Sequence, residues 1–248
     1  MLVKILGIEI MCVRKISVII PAHNEEKYIR GSIESVINAS KSIKIETEII
    51  VVLNNCTDNT ESIAKSYDVI LVKEETPNIS RVRNTGIKNA SGDVIVTLDA
   101  DNTMDPGVLA EVVRHLETGK YIGGGISARP DRYSIGILLT ALLAFSIINL
   151  KKRVSLVLFW ARKEDIERVG YFDEDLFMAE DIDFALRLKE LAKRRSLKYG
   201  TISRSKVTCS TRKFDQFGDF FALKLNIKEI LKGKNKEISD RYWYKTGR

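Results

Sequence analysis

Two aspartates one residue apart, Asp99 and Asp101, end the hydrophobic run "VIVTLDADNT" at 94–103. Their carboxylates are hard oxygen donors. Mg²⁺ and Mn²⁺ favour such donors and also take phosphate oxygens and water. A metal held by Asp101, with Asp99 beside it, could bridge a diphosphate and neutralise its charge as it departs. The same two residues could instead be a nucleophile, Asp99, and its acid–base partner, Asp101. A polar surface turn is the third reading, and these residues alone leave all three open.

Other chemistry-bearing residues recur at comparable places. "PAHNEE" (21–26), "LNNCTDNT" (53–60) and "RVRNTG" (81–86) each follow or open a regular element. "AEDIDFALRL" (179–188) brings Glu180, Asp181 and Asp183 to the start of an amphipathic pattern. By itself this is a charged helix N-terminus favoured by the helix dipole. Asp183 lies about 200° around such a helix from Asp181, so the two face different ways.

The elements that must position these residues alternate. "ISVIIPA" is a continuous β-branched run, which reads as a buried strand. A helical pattern follows, with Ile29, Ile33, Val36 and Ile37 on one face, Asn24 as cap, and Glu25 and Glu26 in its first turn. "TEIIVVLN", "DVILVKE" and "DVIVTLDAD" are further strands. Between them lie a helix capped by Thr57 or Asp58 and another ending at Ser91-Gly92. A helix after "DADNT" takes Asp105 as cap and Pro106 as first residue. Strand–helix alternation predicts an α/β domain with a mostly parallel sheet, whose sites lie at the carboxyl ends of strands. "PAHNEE", "LNNCTDNT" and "LDADNT" all sit there. After residue 120 the rhythm loosens. "YIGGGIS", "SLVLFWA", "KYGTI" and "KVTCST" read as strands, and "FGDFFALKLNIKEIL" as a last helix. We expect a regular first half over 16–120, a differently built second half over 121–215 and a C-terminal helix with a basic tail over 216–248, all in one domain.

The bulk composition fits that frame. The chain has 248 residues, 44% hydrophobic and 29% charged, with a net charge of +7. Its three cysteines show no disulfide or zinc spacing, and a reducing, cytoplasmic setting is expected. The basic excess in "KKR" (151–153), "KRR" (193–195) and "KGKNK" (232–236) suits anionic lipid or phosphorylated substrates. Aromatic–basic interleaving is missing, so no nucleic acid is expected. The opening "MLVKILGIEIMCVRK" is too interrupted for a signal peptide, and Met11 is an alternative start. "IGILLTALLAFSIINL" (135–150) is shorter than the ~20 residues of a membrane span. It reads as a buried helix or as one lying on a membrane.

"VIIPAHNEEKYI", "VLNNCTDNT", "RVRNTGIKNASGDVIVTLDAD" and "AEDIDFALRL", in this order, resemble the family 2 glycosyltransferases of GT-A fold, over roughly residues 16–213. The resemblance implies a Rossmann-like mixed, mostly parallel sheet with a C-terminal acceptor-side subregion, residues 16–120 binding the nucleotide-sugar donor and 121–215 the acceptor and supplying the catalytic base. It implies inverting transfer of a sugar from a nucleotide-diphosphate sugar, UDP- or GDP-linked, to a glycan or lipid-phosphate acceptor. Pro21, Ala22, His23, Asn24 and Glu25 would surround the nucleoside, Glu25 accepting from ribose hydroxyls. Asn54 and Asn55 stand where the family often has acidic residues facing the base. An amide both donates and accepts, which leaves the base open. Arg83, with Arg81 as an extra candidate, would pair with the diphosphate. Asp99, Ala100 and Asp101 become the D-x-D motif, with Asp101 and Asp99 holding Mn²⁺ or Mg²⁺. Asp181 becomes the general base, and Glu180 positions the acceptor. Trp160 either stacks on a sugar or is a core aromatic. One departure is visible: "VTCSTRKF" (207–214) has no histidine where many members have a metal ligand, and Cys209 or Ser210 stands near that place. Arg212 and Lys213 could neutralise the diphosphate instead. Peripheral contact with the inner face of the cell membrane is also expected.

Two rivals remain at this stage. "VIVTLDADNT" also resembles the nucleophile motif of haloacid-dehalogenase-like phosphatases, with Glu180-Asp181 as the later acidic motif. That motif normally opens its domain, whereas about three βα units precede it here. A non-catalytic nucleotide-sugar binder is the other.

Overall fold

The computed structural model describes residues 2–5, 8–144, 146 and 154–224. β1 (Leu2–Ile5) and β2 (Ile8–Met11) pair as a small antiparallel hairpin. The main sheet contains β3 (Lys15–Ala22), β4 (Glu46–Leu53), β5 (Ile70–Lys73), β6 (Val94–Thr97), β7 (Thr103–Met104), β8 (Tyr121–Pro130), β9 (Trp160–Arg162) and β10 (Lys198–Cys209). Their order is β5-β4-β3-β6-β9-β8-β10-β7. The pairs β5–β4, β4–β3, β3–β6 and β8–β10 are parallel. β9 and β7 run antiparallel to their neighbours.

The helices are α1 (Ile29–Ser40), α2 (Thr60–Ala64), α3 (Ile79–Asn89), α4 (Val108–Glu117), α5 (Ile135–Ala144), α6 (Lys163–Val169), α7 (Glu180–Arg194) and α8 (Arg212–Phe217), then a 3₁₀ turn at Phe221–Lys224. β3 shows why its sequence is apolar throughout. Side chains alternate across a strand. Val18 and Ile20 pack in one core with Ile33 and Val36 of α1 and Val112 of α4. Ile19 packs in the other with Val82 and Ile87 of α3 and Phe184 of α7. Each such fully buried aliphatic side chain contributes about 1.5–3 kcal/mol relative to exposure. Gly86 lets α3 lie close on the sheet, since a Cβ there would run into Ile19 and Val52.

The chain runs outward from β3 to β4 and β5, then returns to the other side of β3 to make β6. That reversal opens a crevice at the carboxyl ends of β3, β4 and β6. The strand-end motifs converge on it.

Several elements differ from their sequence-based expectation. α1 begins at Ile29 rather than after Asn24. Asn24 has φ 54°, and its side chain accepts from Thr57 N at 2.8 Å, fastening two loops instead of capping a helix. Asp105 does not cap α4 with its side chain. Its carboxylate accepts from Lys206 N (2.9 Å) and Arg129 Nη2 (2.7 Å), pinning β10. The cap of α2 is Asn59 rather than Thr57 or Asp58, though Asp58, one residue earlier, still accepts from Thr60 N at 3.0 Å. "KYGTI" and "KVTCST" belong to one strand, β10, whose pairing slips between Ile202 and Val207. Of "SLVLFWA" and its flank, only Trp160–Arg162 pairs as β9. Lys151, Lys152, Arg153 and the expected basic tail from 225 onward lie outside the described residues.

Candidate active site

Pro21, Ala22, His23, Glu25, Asn54, Arg83, Asp99, Ala100, Asp101, Glu180, Asp181 and Arg212 line one cleft of about 520 Å³. Twelve residues from six separated segments thus meet at the crevice where the topology placed it.

Asp99 is held at the end of β6, where Leu98 N donates to Ile19 O at 2.9 Å. Asn102 N donates back to Asp99 O at 3.0 Å, which closes the turn carrying Asp101. Arg83 comes from α3 and is 8% exposed. Its guanidinium bridges two carboxylates, Nη1 to Glu180 Oε1 at 2.7 Å and Nη2 to Asp99 Oδ1 at 2.9 Å. The Phe172 ring lies 5.3 Å from its carbon. Burial works against this charge, but Asp99 and Glu180 outweigh it and hold the pKa above its ordinary value.

Glu180 and Asp181 open α7, behind Ala179 in the left-handed region (φ 57°). Asp181 is half-buried on the cleft wall, with Oδ1 accepting from Ile182 N at 2.7 Å. Burial, then the neighbouring Glu180 charge, pushes its carboxyl up to about 7, while Arg83 opposes the rise. A carboxylate so raised can accept a proton near neutral pH. Asp183 faces elsewhere and pairs with Arg187 at 2.7 Å, as helix geometry predicted.

Arg212, the first residue of α8, crosses the cleft mouth. Its Nη1 and Nη2 donate to both oxygens of buried Glu25, at 2.5 and 2.7 Å. Nη2 also stands 2.9 Å from Asp101 Oδ2, and the carbon lies 4.9 Å from the Tyr28 ring centre. Burial pushes Asp101 up to about 6, with Asp99 and Glu25 adding and Arg212 opposing.

Among the described residues, no three His, Cys, Asp or Glu side chains converge as a metal cage. The donor set nevertheless fits a hard cation. Asp101 and Asp99 offer carboxylate oxygens, and Mg²⁺ or Mn²⁺ fills its remaining positions with water and substrate phosphate. Cys209 does not fit as a ligand. A soft thiol suits a hard cation poorly, and burial, then the Asp99 and Asp101 charges, pushes its pKa up to about 12.

Four expected positions lie elsewhere. Trp160 is fully buried, its Nε1 donates to Gly125 O at 2.9 Å, and it packs against His115. It is a core aromatic and stacks on no substrate. Asn24 and Asn55 both have positive φ, which turns their side chains along the loops, Asn55 Nδ2 donating to Glu75 O at 2.5 Å. Arg81 is exposed beside Glu74. The cleft also has an apolar wall of Leu156, Val157, Phe177 and Met178 that carried no sequence signal.

Residues 17–155 match the family described as glycosyl transferase family 2. The chain belongs to that family. The match sets aside the phosphatase reading of Asp99. The "Probable glycosyltransferase YdaM" of Bacillus subtilis is 30% identical over 71% of this family 2 chain and 47% of its own length. The dolichol-phosphate mannosyltransferase of Pyrococcus furiosus is 29% identical over 62% of this chain and 48% of its own. The chain therefore spans about half the length of these relatives. Among solved structures, S. aureus TarS in complex with UDP-GlcNAc superposes with a TM-score of 0.63, at 23% identity, over 80% of this chain and 59% of that one. Glucosyl-3-phosphoglycerate synthase from Mycobacterium tuberculosis, in complex with Mn²⁺, UDP and phosphoglyceric acid, gives 0.57 at 23% identity, over 84% and 74%. The fold is thus the GT-A arrangement of mixed sheet and flanking helices.

Proposed function

We propose that this chain transfers a sugar, with inversion, from a nucleotide-diphosphate sugar to an acceptor hydroxyl. One observation carries the reading: a base-competent Asp181 shares a cleft with the D-x-D pair, and its neighbour Glu180 is tied to Asp99 through Arg83. The strand ends of β3 and β4 hold the nucleoside, with Glu25 toward the ribose. The β8-to-β10 half receives the acceptor. Asp181 takes the proton from the acceptor oxygen as that oxygen bonds to the anomeric carbon. The bond from that carbon to the diphosphate oxygen breaks in the same displacement. Arg212, released from Glu25, meets the charge of the leaving diphosphate. Asp101 and Asp99 would hold the Mn²⁺ or Mg²⁺ that supplies Lewis acidity to that leaving group.

The test is melting with UDP-, GDP- and dTDP-sugars, with and without Mn²⁺. A metal-dependent rise in Tm with one nucleotide is expected, and a smaller rise for Arg212→Ala. No response to any nucleotide would reject the assignment. Stabilisation without turnover on any acceptor would favour the non-catalytic binder.

A lipid-linked acceptor at a membrane surface is the finer reading, supported by α5. Ile135, Leu138, Leu139, Leu142 and Leu143 are exposed on it, and Lys151, Lys152 and Arg153 follow in sequence. No helix among the described residues is long and apolar enough to cross a membrane. Such a helix can lie in the headgroup region. The chain should sediment with phosphatidylglycerol vesicles, and Leu138→Glu/Leu142→Glu should stay in the supernatant. Equal sedimentation of both would remove α5 from the argument.

A further inference from the structure

Both carboxylates of the D-x-D pair already face a cation of the chain's own. Asp99 Oδ1 accepts from Arg83 Nη2 at 2.9 Å, and Arg83 is locked by its second arm on Glu180. Asp101 Oδ2 stands 2.9 Å from Arg212 Nη2. The Arg212 fork also takes both oxygens of Glu25, so one guanidinium serves carboxylates that follow β3 and β6.

The two arginines differ in freedom. The Arg83 side chain is 9% exposed and held from two sides, whereas that of Arg212 is 19% exposed at the cleft mouth. The backbone under Arg212 is fixed. Asp131 Oδ1 accepts from Thr211 N at 3.0 Å and from Thr211 Oγ1 at 2.6 Å. Asn102 Oδ1 accepts from Ser210 N at 3.2 Å. Asn102 closes the turn that carries Asp101, so the root of Arg212 is tied to the D-x-D turn itself. Side-chain rotation suffices to take the guanidinium off Glu25 and Asp101, with α8 left in place.

A divalent metal meets this arrangement as a competitor. Mg²⁺ sits about 2.0–2.1 Å from its oxygen ligands. A metal on Asp101 Oδ2 would stand within roughly 5 Å of Arg212 Nη2, like charge against like charge. Its entry therefore costs the Arg212–Asp101 contact and strains the bidentate pair on buried Glu25. A nucleoside diphosphate changes that balance. Its phosphate oxygens give the displaced fork a new bidentate partner and give the metal further ligands.

We propose that Arg212 is the internal counter-ion of the D-x-D site, barring a divalent metal until a nucleoside diphosphate takes the arginine over. Metal and nucleotide then bind as a cooperative pair. The inference rests on the glycosyl-transfer reading, since it takes the ligand to be a nucleoside diphosphate. It goes beyond that reading by giving Arg212 a task before any ligand binds.

Titration of Mn²⁺ into the full chain, followed by the EPR signal of the free ion, tests this without any sugar transfer. Binding of the ion to free nucleotide is measured separately. The natural chain should bind Mn²⁺ at least about tenfold tighter with saturating UDP or GDP than without. Arg212→Ala should bind Mn²⁺ alone at least about tenfold tighter than the natural chain, and nucleotide should then add less. Arg212→Lys keeps a charge at the same place and should stay close to the natural chain. Equal Mn²⁺ affinity in the natural chain and Arg212→Ala overturns the inference and leaves the glycosyl-transfer reading intact. So does a natural chain that binds Mn²⁺ equally with and without nucleotide. Absence of nucleotide binding, with or without metal, overturns both. Should Arg212→Ala fail to fold, Arg212→Ala/Glu25→Gln removes both charges of the pair and should show the same gain in Mn²⁺ affinity.

Discussion

Asp181→Asn should all but abolish sugar transfer while donor affinity stays close to that of the natural protein. Loss of a general base lowers kcat by about 10²–10⁴-fold. Asparagine keeps the shape and can still accept from Ile182 N, but it cannot take the acceptor's proton. The natural enzyme should show an acid limb in kcat/KM. The base works deprotonated, so activity falls as pH drops below about 7, where burial and Glu180 have set the group. Stability should move the other way. A carboxyl whose folded pKa is raised contributes stability that is full below the ordinary carboxyl range. That stability is lost as pH climbs through about 7. The asparagine never ionises, so the variant should melt higher than the natural chain at pH 8 and about equally at pH 4. Full activity in Asp181→Asn would move the base elsewhere. A lower Tm at pH 8 would show that the carboxylate is stabilised in a way the cleft geometry does not predict.

The legibility of this site follows from chain direction. β3, β4 and β6 announce themselves as β-branched runs because both faces of the central strands are buried, and in a parallel sheet their carboxyl ends must gather. That rule brings "PAHNEE", "LNNCTDNT" and "LDADNT" together, and the family resemblance picks Pro21 to His23, Asn54 and the D-x-D pair out of them. Asp181 needed the ordered set of motifs, since helix-start acids are common. What the sequence hid is angular or long-range. Asn24 and Asn55 read as site residues by position, but a positive φ turns each side chain along its loop. Trp160 was ambiguous because burial is set by packing against His115 and Tyr121, contacts that periodicity does not encode. Asp105 looked like a cap and became a pin for β10, a partner about a hundred positions away. The amide orientation of Asn54 depends on two carbonyls of a loop with no pattern of its own.

The other large effect is expected at Arg83, which joins residues 97 and 16 positions away in one guanidinium. Arg83→Met keeps length and apolar contact with Phe172 but leaves Glu180 without a counter-charge. The Glu180 arm is well buried on both sides, at 9% and 11% side-chain exposure, whereas Asp99 is 41% exposed. Solvent screens the Asp99 arm, so most of the effect should come from Glu180. Breaking a buried pair by removing one partner costs about 3–5 kcal/mol. For a chain of this size that lowers Tm by roughly 6–20 °C. Arg83→Lys should fall between, because a single ammonium cannot span both carboxylates as a planar fork does. Arg83 also restrains the rise of Asp181. Without its charge, the acid limb of kcat/KM should move to higher pH. The two readouts separate two roles. A lower Tm with an unmoved limb would make Arg83 a structural strut only. A shifted limb with it would show that one guanidinium both ties α7 to the D-x-D turn and sets the pH at which Asp181 can accept a proton.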